Sequence, residues 1–292
     1  MVLTHVDRGT VMETYKIADI VLKIEYHYDD FLGHNIENYR CDDQKVDHTM
    51  SVHLVDHIEK PEGSSRSTKN PYILYEENKR IIFIKNHEGQ IKSKVEHDKH
   101  YHQVNIWINP KLTTNAAEIE YTWLGLFFME IALTYQKLSM HAAAIDYQGN
   151  GILIAAPSQT GKSTHAKFWQ EMDMSVNIIN DDKPLIGFHD GELTIYSSPF
   201  SGKTSTNMNR TLPLKAIVFL YQGKTNEITK LDKDEIILEM MKNMLRPSDE
   251  KSWDDMIQIM NSMITSIPFY RFYATKSIDA AKYLKEKLEL GD

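Results

Sequence analysis

Three groups of residues have types and spacing suited to chemistry. In Gly151–Thr164, GILIAAPSQTGKST, an apolar run ends in Ala156-Pro157-Ser158-Gln159-Thr160-Gly161-Lys162-Ser163 and a helix-forming stretch begins. This is the phosphate-binding loop pattern, with Ala156 at its first glycine. Its physical basis is a run of backbone N–H groups meeting a helix N-terminus, which favours anionic oxygens. Lys162 adds a charge that reaches terminal phosphates, and Ser163 offers a hydroxyl to Mg2+, a hard cation that takes oxygen ligands. Gly161 lets the backbone turn without a Cβ clash.

The second group is Asn180-Asp181-Asp182, straight after the short apolar run Ser175–Asn180. A carboxylate at a strand end beside a phosphate loop is placed for a magnesium ligand or a base, and two adjacent aspartates offer both roles. Like charges that close push one pKa up, which suits proton transfer. The third is His141, fifteen residues before Ala156, on a strand whose end approaches the loop. Lys203 and Arg210 follow a segment able to close over phosphate and are candidate transition-state cations.

Ordered elements must hold these groups. Residues 15–110 read as β-rich: Tyr15–Tyr28 alternates, Ile81–Ile84 is a short apolar run, and Gln103–Ile108 alternates cleanly before Asn109-Pro110. Glu59–Asn70 has the composition of a mobile loop. Thr114 or Asn115 caps a predicted helix running to about Leu138. The spacing then predicts strands at His141–Tyr147 and Gly151–Ala156 with a tight turn at Gly149-Asn150, a helix from Lys162 to about Met172, and strands at Ser175–Asn180, Leu193–Ser197 and Ala216–Tyr221. Next come a helix over Lys233–Leu245, one capped by Ser252 with Asp255 at its third position, a strand at Phe269–Tyr273 and a helix from Ser277. Methionines striping the two long C-terminal helices read as core filler. The expected division is a β-rich front, 1–112, and a nucleotide-binding remainder, 113–292.

The 292 residues carry 33 Lys plus Arg against 41 Asp plus Glu, a formal charge of −8. That balance disfavours nucleic acid and anionic lipid as partners, so phosphate binding must rest on a local device. The lone Cys41 excludes an intrachain disulfide and a cysteine metal cage, and suits a reducing, cytoplasmic compartment. Met1–Tyr15 lacks the apolar core of a secretory signal. Tyr121–Tyr135 is too short to span a bilayer, carries Glu130, and reads as a buried helix. His97, His100 and His102 form a zinc-like spacing that reads instead as a solvated loop.

Ser139-Met140-His141-Ala142, then GILIAAPSQTGKST, then IINDDKPLI, resembles the catalytic domain of HPr kinase/phosphorylase, and is similar above all to HPr-kinase-like proteins of bacterial gene neighbourhoods. Ser198–Lys203 and Pro213–Leu220 share the resemblance, which covers about residues 120–290. It implies an α/β fold with α+β character, of the phosphate-loop, phosphoenolpyruvate-carboxykinase-like type. It implies that Ser158, Gln159, Thr160, Gly161, Lys162, Ser163 and Thr164 hold the nucleotide phosphates. Asp181 matches the acid/base that takes a proton from a serine hydroxyl, Asp182 a metal ligand beside Ser163, and His141 a histidine close to Asp181. The family's downstream metal-binding glutamate has no counterpart in Tyr196-Ser197-Ser198-Pro199.

The expectation is an ATP- and Mg2+-dependent kinase acting on a peptide or protein that carries an acceptor serine, with His141 orienting Asp181 and Lys203 assisting. The resemblance also implies self-association and makes a precursor peptide an attractive acceptor. The alternative is a non-catalytic nucleotide-binding module whose β-rich front binds a peptide. Carboxykinase chemistry on a small acid ranks last, because no arginine pair for a dicarboxylate is evident.

Overall fold

The computed structural model describes residues 7–42, 44–60, 70–157, 160–202, 206–247 and 250–290. Ser158, Gln159 and Lys203 lie outside them, as does most of Glu59–Asn70. The chain is mixed α/β with two sheets, and it divides into two compact units, Met1–Ile131 and Ala132–Asp292.

The first unit holds β1 (Asp7–Ile17), β2 (Ile20–Tyr28), a short α1 (Gly33–Ile36), β3 (His48–Leu54), β4 (Tyr72–Glu76), β5 (Lys79–Lys85), β6 (Ile91–Asp98), β7 (Gln103–Ile108) and most of α2 (Ala116–Thr134). The strand order is β1-β2-β3-β7-β6-β5-β4. Burial alternates residue by residue along β6, as a sheet with one covered face requires. The alternating stretch Tyr15–Tyr28 is two strands rather than one. Ala18 and Asp19 both take positive φ, +50° and +66°, and close a two-residue hairpin without the usual glycine or asparagine.

Helix α2 starts as expected: the Asn115 side chain accepts from the Glu118 N–H at 2.9 Å. Glu120 is buried and accepts from the backbone N–H groups of His27 and Tyr28 at 2.9 and 3.0 Å. Trp123 Nε1 donates to Ser93 Oγ at 3.2 Å. These bonds fasten the helix to the first sheet, so the division falls inside α2 and not ahead of it near residue 112. The helix stops at Thr134, short of Leu138. Gln136 takes φ +57°, while Lys137 N donates to Ala132 O and Gln136 N to Leu133 O, both at 3.0 Å, a Schellman end built on glutamine. Among the described residues no helix is long and apolar enough to cross a membrane. His97 is no loop residue: it is buried in β6 and stacks on Tyr101 at 4.6 Å. Among the described residues no group of three His, Cys, Asp or Glu side chains could hold a metal.

The second unit contains β8 (Leu138–Ser139), β9 (Ala142–Tyr147), β10 (Asn150–Ala155), α3 (Lys162–Met172), β11 (Asn177–Asn180), β12 (Leu185–His189), β13 (Glu192–Tyr196), β14 (Thr211–Gln222), β15 (Glu227–Lys230), α4 (Lys233–Asn243), α5 (Glu250–Ser266), β16 (Phe269–Ala274) and α6 (Ile278–Lys287). Its sheet runs β11-β9-β10-β14-β13-β12-β8, with β16 joining β14 and β15. Strands β10, β14 and β16 are mutually parallel. Strand alternation sends Leu153 and Ala155 into one core with Met240, Met256, Met260 and Met263 of α4 and α5. Ile152 and Ile154 enter the other with Ala166 and Trp169 of α3 and Ala280 and Leu284 of α6. Each such large aliphatic side chain contributes about 1.5–3 kcal/mol by burial, so the strand leading to the loop is anchored on both faces.

Three local expectations change. The β9–β10 turn is carried by Gln148 and Gly149, φ +51° and +83°, with Asn150 already paired to Tyr147. Both central residues of such a turn need positive φ, and the glycine supplies only one of them. Helix α5 begins at Glu250, which puts Ser252 inside it instead of at its cap. Strand β14 is longer than Ala216–Tyr221 because its first residues pair with β13 and its last with β16.

Candidate active site

Strand β10 ends at Ala155, and residues 156–161 lead into α3. Gly161 sits at the helix N-cap with φ +112°, a conformation that a side chain would strain. The helix closes its first bond from His165 N to Gly161 O at 2.8 Å. Its N-cap residue, a glycine, has no side chain to cap this end, and its first turn holds no acidic residue. The orphan N–H groups and the positive end of the helix dipole are therefore not neutralised from within α3.

Strand β11 delivers the aspartates. Asn180 is fully buried at the strand end. Its Nδ2 donates to Ser198 O at 2.8 Å, and its Oδ1 accepts from the backbone N–H groups of Asp182 and Lys183 at 3.0 and 2.8 Å. That side chain folds the next residues into a fixed turn. Ala142 N donates to Asp182 O at 3.1 Å, and Ser198 Oγ to Lys183 O at 2.7 Å, so β9 and the segment after β13 clamp the turn from two sides. Gly202, φ +74°, lies so close that a Cβ there would sit 3.2 Å from the Cβ and Oδ2 of Asp182.

The two carboxylates are pushed in opposite directions. Burial alone would raise Asp182, but the His141 hydrogen bond and the Lys183 and Lys162 ammonium groups outweigh it and hold the group well below the usual carboxylate range. His141 Nε2 is 3.0 Å and Lys162 Nζ 3.7 Å from Asp182 Oδ1, while Lys183 Nζ pairs with Oδ2. Asp181, only 8% exposed, is pushed up mainly by burial. A hydrogen bond from Ser163 and the charge of Lys162 moderate that rise. Its Oδ1 is buried with no hydrogen-bond partner in the described protein. Burial likewise lowers Lys162, against the pull of Asp182 and Asp181. Neighbouring carboxylates split this way are poised for different tasks.

Lys162, Ser163, Asp181, Asp182 and His141 thus converge. His141, however, pairs with Asp182 and not with Asp181. Thr160, Gly161 and Thr164 border a cleft beside the loop. Arg210 is not in the site: it pairs with Asp146, near the hairpin end of β9, away from the loop end of β10. Asn180, Lys183 and Gly202 take parts that reasoning from sequence did not assign. Asn180 carried a usable signal, since asparagine two residues before a buried polar turn is a turn former.

The oxygens of Ser163 and Asp182 suit Mg2+, which binds through one or two carboxylates and otherwise keeps water or substrate phosphate. Asp182, held ionised by His141, Lys183 and Lys162, fits such a cation, while the buried Oδ1 of Asp181 is left without a partner beside it.

A family model described as SynChlorMet cassette protein ScmC matches residues 108–275. No curated protein matches the chain. Among solved structures, the Hpr(Ser) kinase/phosphatase from Coxiella burnetii aligns over 52% of this chain and 92% of its own, at 12% identity and a TM-score of 0.31. The family match spans more than half of the 292 residues and takes in His141, the loop and both aspartates, and the chain belongs to the family of SynChlorMet cassette protein ScmC.

Proposed function

We propose that this chain is a phosphotransferase of the HPr-kinase-like, phosphate-loop type, moving the γ-phosphoryl group of ATP to a serine hydroxyl of a peptide or protein. One observation carries the reading: a buried lysine at an uncapped helix N-terminus shares a site with two adjacent aspartates whose pKa values are driven apart.

The residues divide the work by their electrostatics. The loop from Ser158 to Thr164 binds the phosphates through its backbone, with Lys162 on the terminal ones. Asp182, kept ionised by His141 and the lysines, and the Ser163 hydroxyl would hold Mg2+. Bound there, the ion would neutralise charge on the phosphate oxygens. Asp181, with raised proton affinity and an unpartnered oxygen, takes the proton from the acceptor serine. The serine oxygen forms its bond to the γ-phosphorus as the bond to the β,γ-bridging oxygen breaks, and ADP leaves. Lys203 is a further cation for the transferring group.

The test combines calorimetric Mg2+-ATP binding with transfer of label from γ-labelled ATP to an arrayed library of serine-containing peptides. Asp181→Asn should abolish transfer while leaving ATP affinity largely intact. Unimpaired transfer in that variant overturns the assignment. Tight ATP binding by the parent chain, with no ADP formed for any acceptor, replaces the kinase with a non-catalytic nucleotide-binding module.

A further inference from the structure

The two carboxylate oxygens of Asp182 keep different company. Oδ1 meets His141 Nε2 at 3.0 Å and Lys162 Nζ at 3.7 Å, whereas Oδ2 is held by Lys183 Nζ. The partners of Oδ1 approach from fixed positions. Lys162 opens α3 with its side chain only 9% exposed, and the His141 N–H donates to Asn243 O, at the end of α4, at 2.7 Å. Lys183 is fixed only along its backbone, whose N–H donates to Asn180 Oδ1 at 2.8 Å and whose carbonyl accepts from Ser198 Oγ at 2.7 Å. Its side chain is 38% exposed and has no second ion-pair partner among the described residues. An ammonium on a flexible four-carbon stem can turn from such a position into water without stranding a buried charge. Space beside Oδ2 is kept clear by Gly202, where a Cβ would sit 3.2 Å from that oxygen.

We propose that Lys183 and the divalent cation are alternative partners of Asp182 Oδ2, the ammonium being the counter-ion that gives up this oxygen to the metal. The inference rests on the Mg2+ assignment above and adds what that cation competes with. A carboxylate oxygen bound to Mg2+ lies about 2.0–2.1 Å from it. An ammonium at hydrogen-bond distance from the same oxygen would then face a doubly charged ion at close range, where like charges repel strongly. Oδ1 cannot serve instead without removing His141 or the buried Lys162, so the exposed lysine is the partner that can leave. Its departure relieves a second repulsion, because after burial the charge of Lys183 is what lowers Lys162. The exchange keeps Asp182, whose side chain is 18% exposed, paired with a cation throughout, which a largely buried carboxylate requires. Lys183 therefore acts against the cation, whereas His141 acts for it.

Mn2+, which takes the same oxygen ligands as Mg2+, serves as the probe, its free concentration read from its electron paramagnetic resonance signal. The full-length chain is titrated as parent, Lys183→Met, Lys183→Gln and Asp182→Asn. Exchange at Oδ2 requires Mn2+ to bind about fivefold more tightly to both Lys183 variants, the factor that a partly exposed ion pair is worth, and to lose its site in Asp182→Asn. In the parent, Mn2+ should also speed the modification of Lys183 by acetic anhydride, followed by mass spectrometry, while the buried Lys162 stays protected. This second readout needs no variant, so it decides the matter if the substitutions prevent folding. Unchanged or weaker Mn2+ binding in folded Lys183 variants overturns the exchange, since the lysine then stands outside the site or supports it. Constant Lys183 modification across the Mn2+ titration overturns it too. Mn2+ retained in Asp182→Asn puts the metal elsewhere, with the same result. A parent chain that binds no Mn2+, with or without ATP, fails at the metal assignment itself, and the exchange falls with it.

Discussion

His141 Nε2 lies 3.0 Å from Asp182 Oδ1, while the neighbouring Asp181 takes its hydrogen bond from Ser163. The histidine therefore supports the carboxylate assigned to the cation and not the one assigned to the proton. This has a measurable consequence. Loss of a partner that orients a ligating carboxylate typically costs about 10–100-fold in metal affinity or activity. His141→Gln should raise by that factor the Mg2+ concentration needed for half-maximal ATP binding, and should leave the midpoint of chemical unfolding nearly unchanged, because Lys183 and Lys162 still hold Asp182. An unaltered Mg2+ titration in the folded variant would separate His141 from the role of Asp182.

What was legible in the sequence follows a physical line. Gly161-Lys162-Ser163 and the aspartate pair announce themselves because their chemistry depends on residue type and close spacing, which a linear string preserves. The pairing of His141 does not. It depends on where β9 and β11 place their ends, and the register there shifts between Ile178, opposite Ile145, and Asn180, opposite Ala144. An irregularity of that kind re-aims the side chains that follow it. The Asn180 side chain then sets the turn through bonds to Ser198 and to the backbone of Asp182 and Lys183, on two separate segments. Turns escaped for a related reason. Ala18, Asp19, Gln136 and Gln148 all adopt positive φ without being glycine. Their surroundings, and not their own preference, impose that conformation. Core assignment on the methionine stripes needed only helical period and apolarity, and Met240, Met256, Met260 and Met263 are buried as expected.

The Arg210–Asp146 pair permits a second prediction, because it takes a candidate transition-state cation out of the chemistry. Asp146 is buried and accepts both from Arg210 and from the Gly149 N–H at 2.9 Å in the β9–β10 turn. Removing the arginine leaves a carboxylate half-satisfied in a buried position, whereas the arginine itself is partly solvated. The expected cost of Arg210→Ala is about 2 kcal/mol of stability, below the range for a fully buried pair. It should appear as a lower urea midpoint with an unchanged slope. Mg2+-ATP affinity should stay within about twofold of the parent, as it would for a site too distant to couple. A selective loss of ATP binding at unaltered stability would return Arg210 to the site.

His165 makes the stability of the second unit depend on pH. Its pKa falls from 6.5 in the unfolded chain to about 4 in the fold, with burial as the cause. Between those values the unfolded state binds the proton and the native state does not. Stability from this group is therefore fully present above pH 6.5 and is lost as pH falls towards 4. The full span of the shift corresponds to about 3 kcal/mol. His165→Gln removes the titrating group while keeping a polar side chain, so its unfolding free energy should fall less steeply than the parent's over that window. Taking the difference between the two chains at each pH cancels the carboxylates, Asp181 among them, whose raised pKa works in the opposite sense as pH rises. Parallel pH profiles for the two would show that His165 is already protonated in the fold, or that its nitrogens find partners in solution.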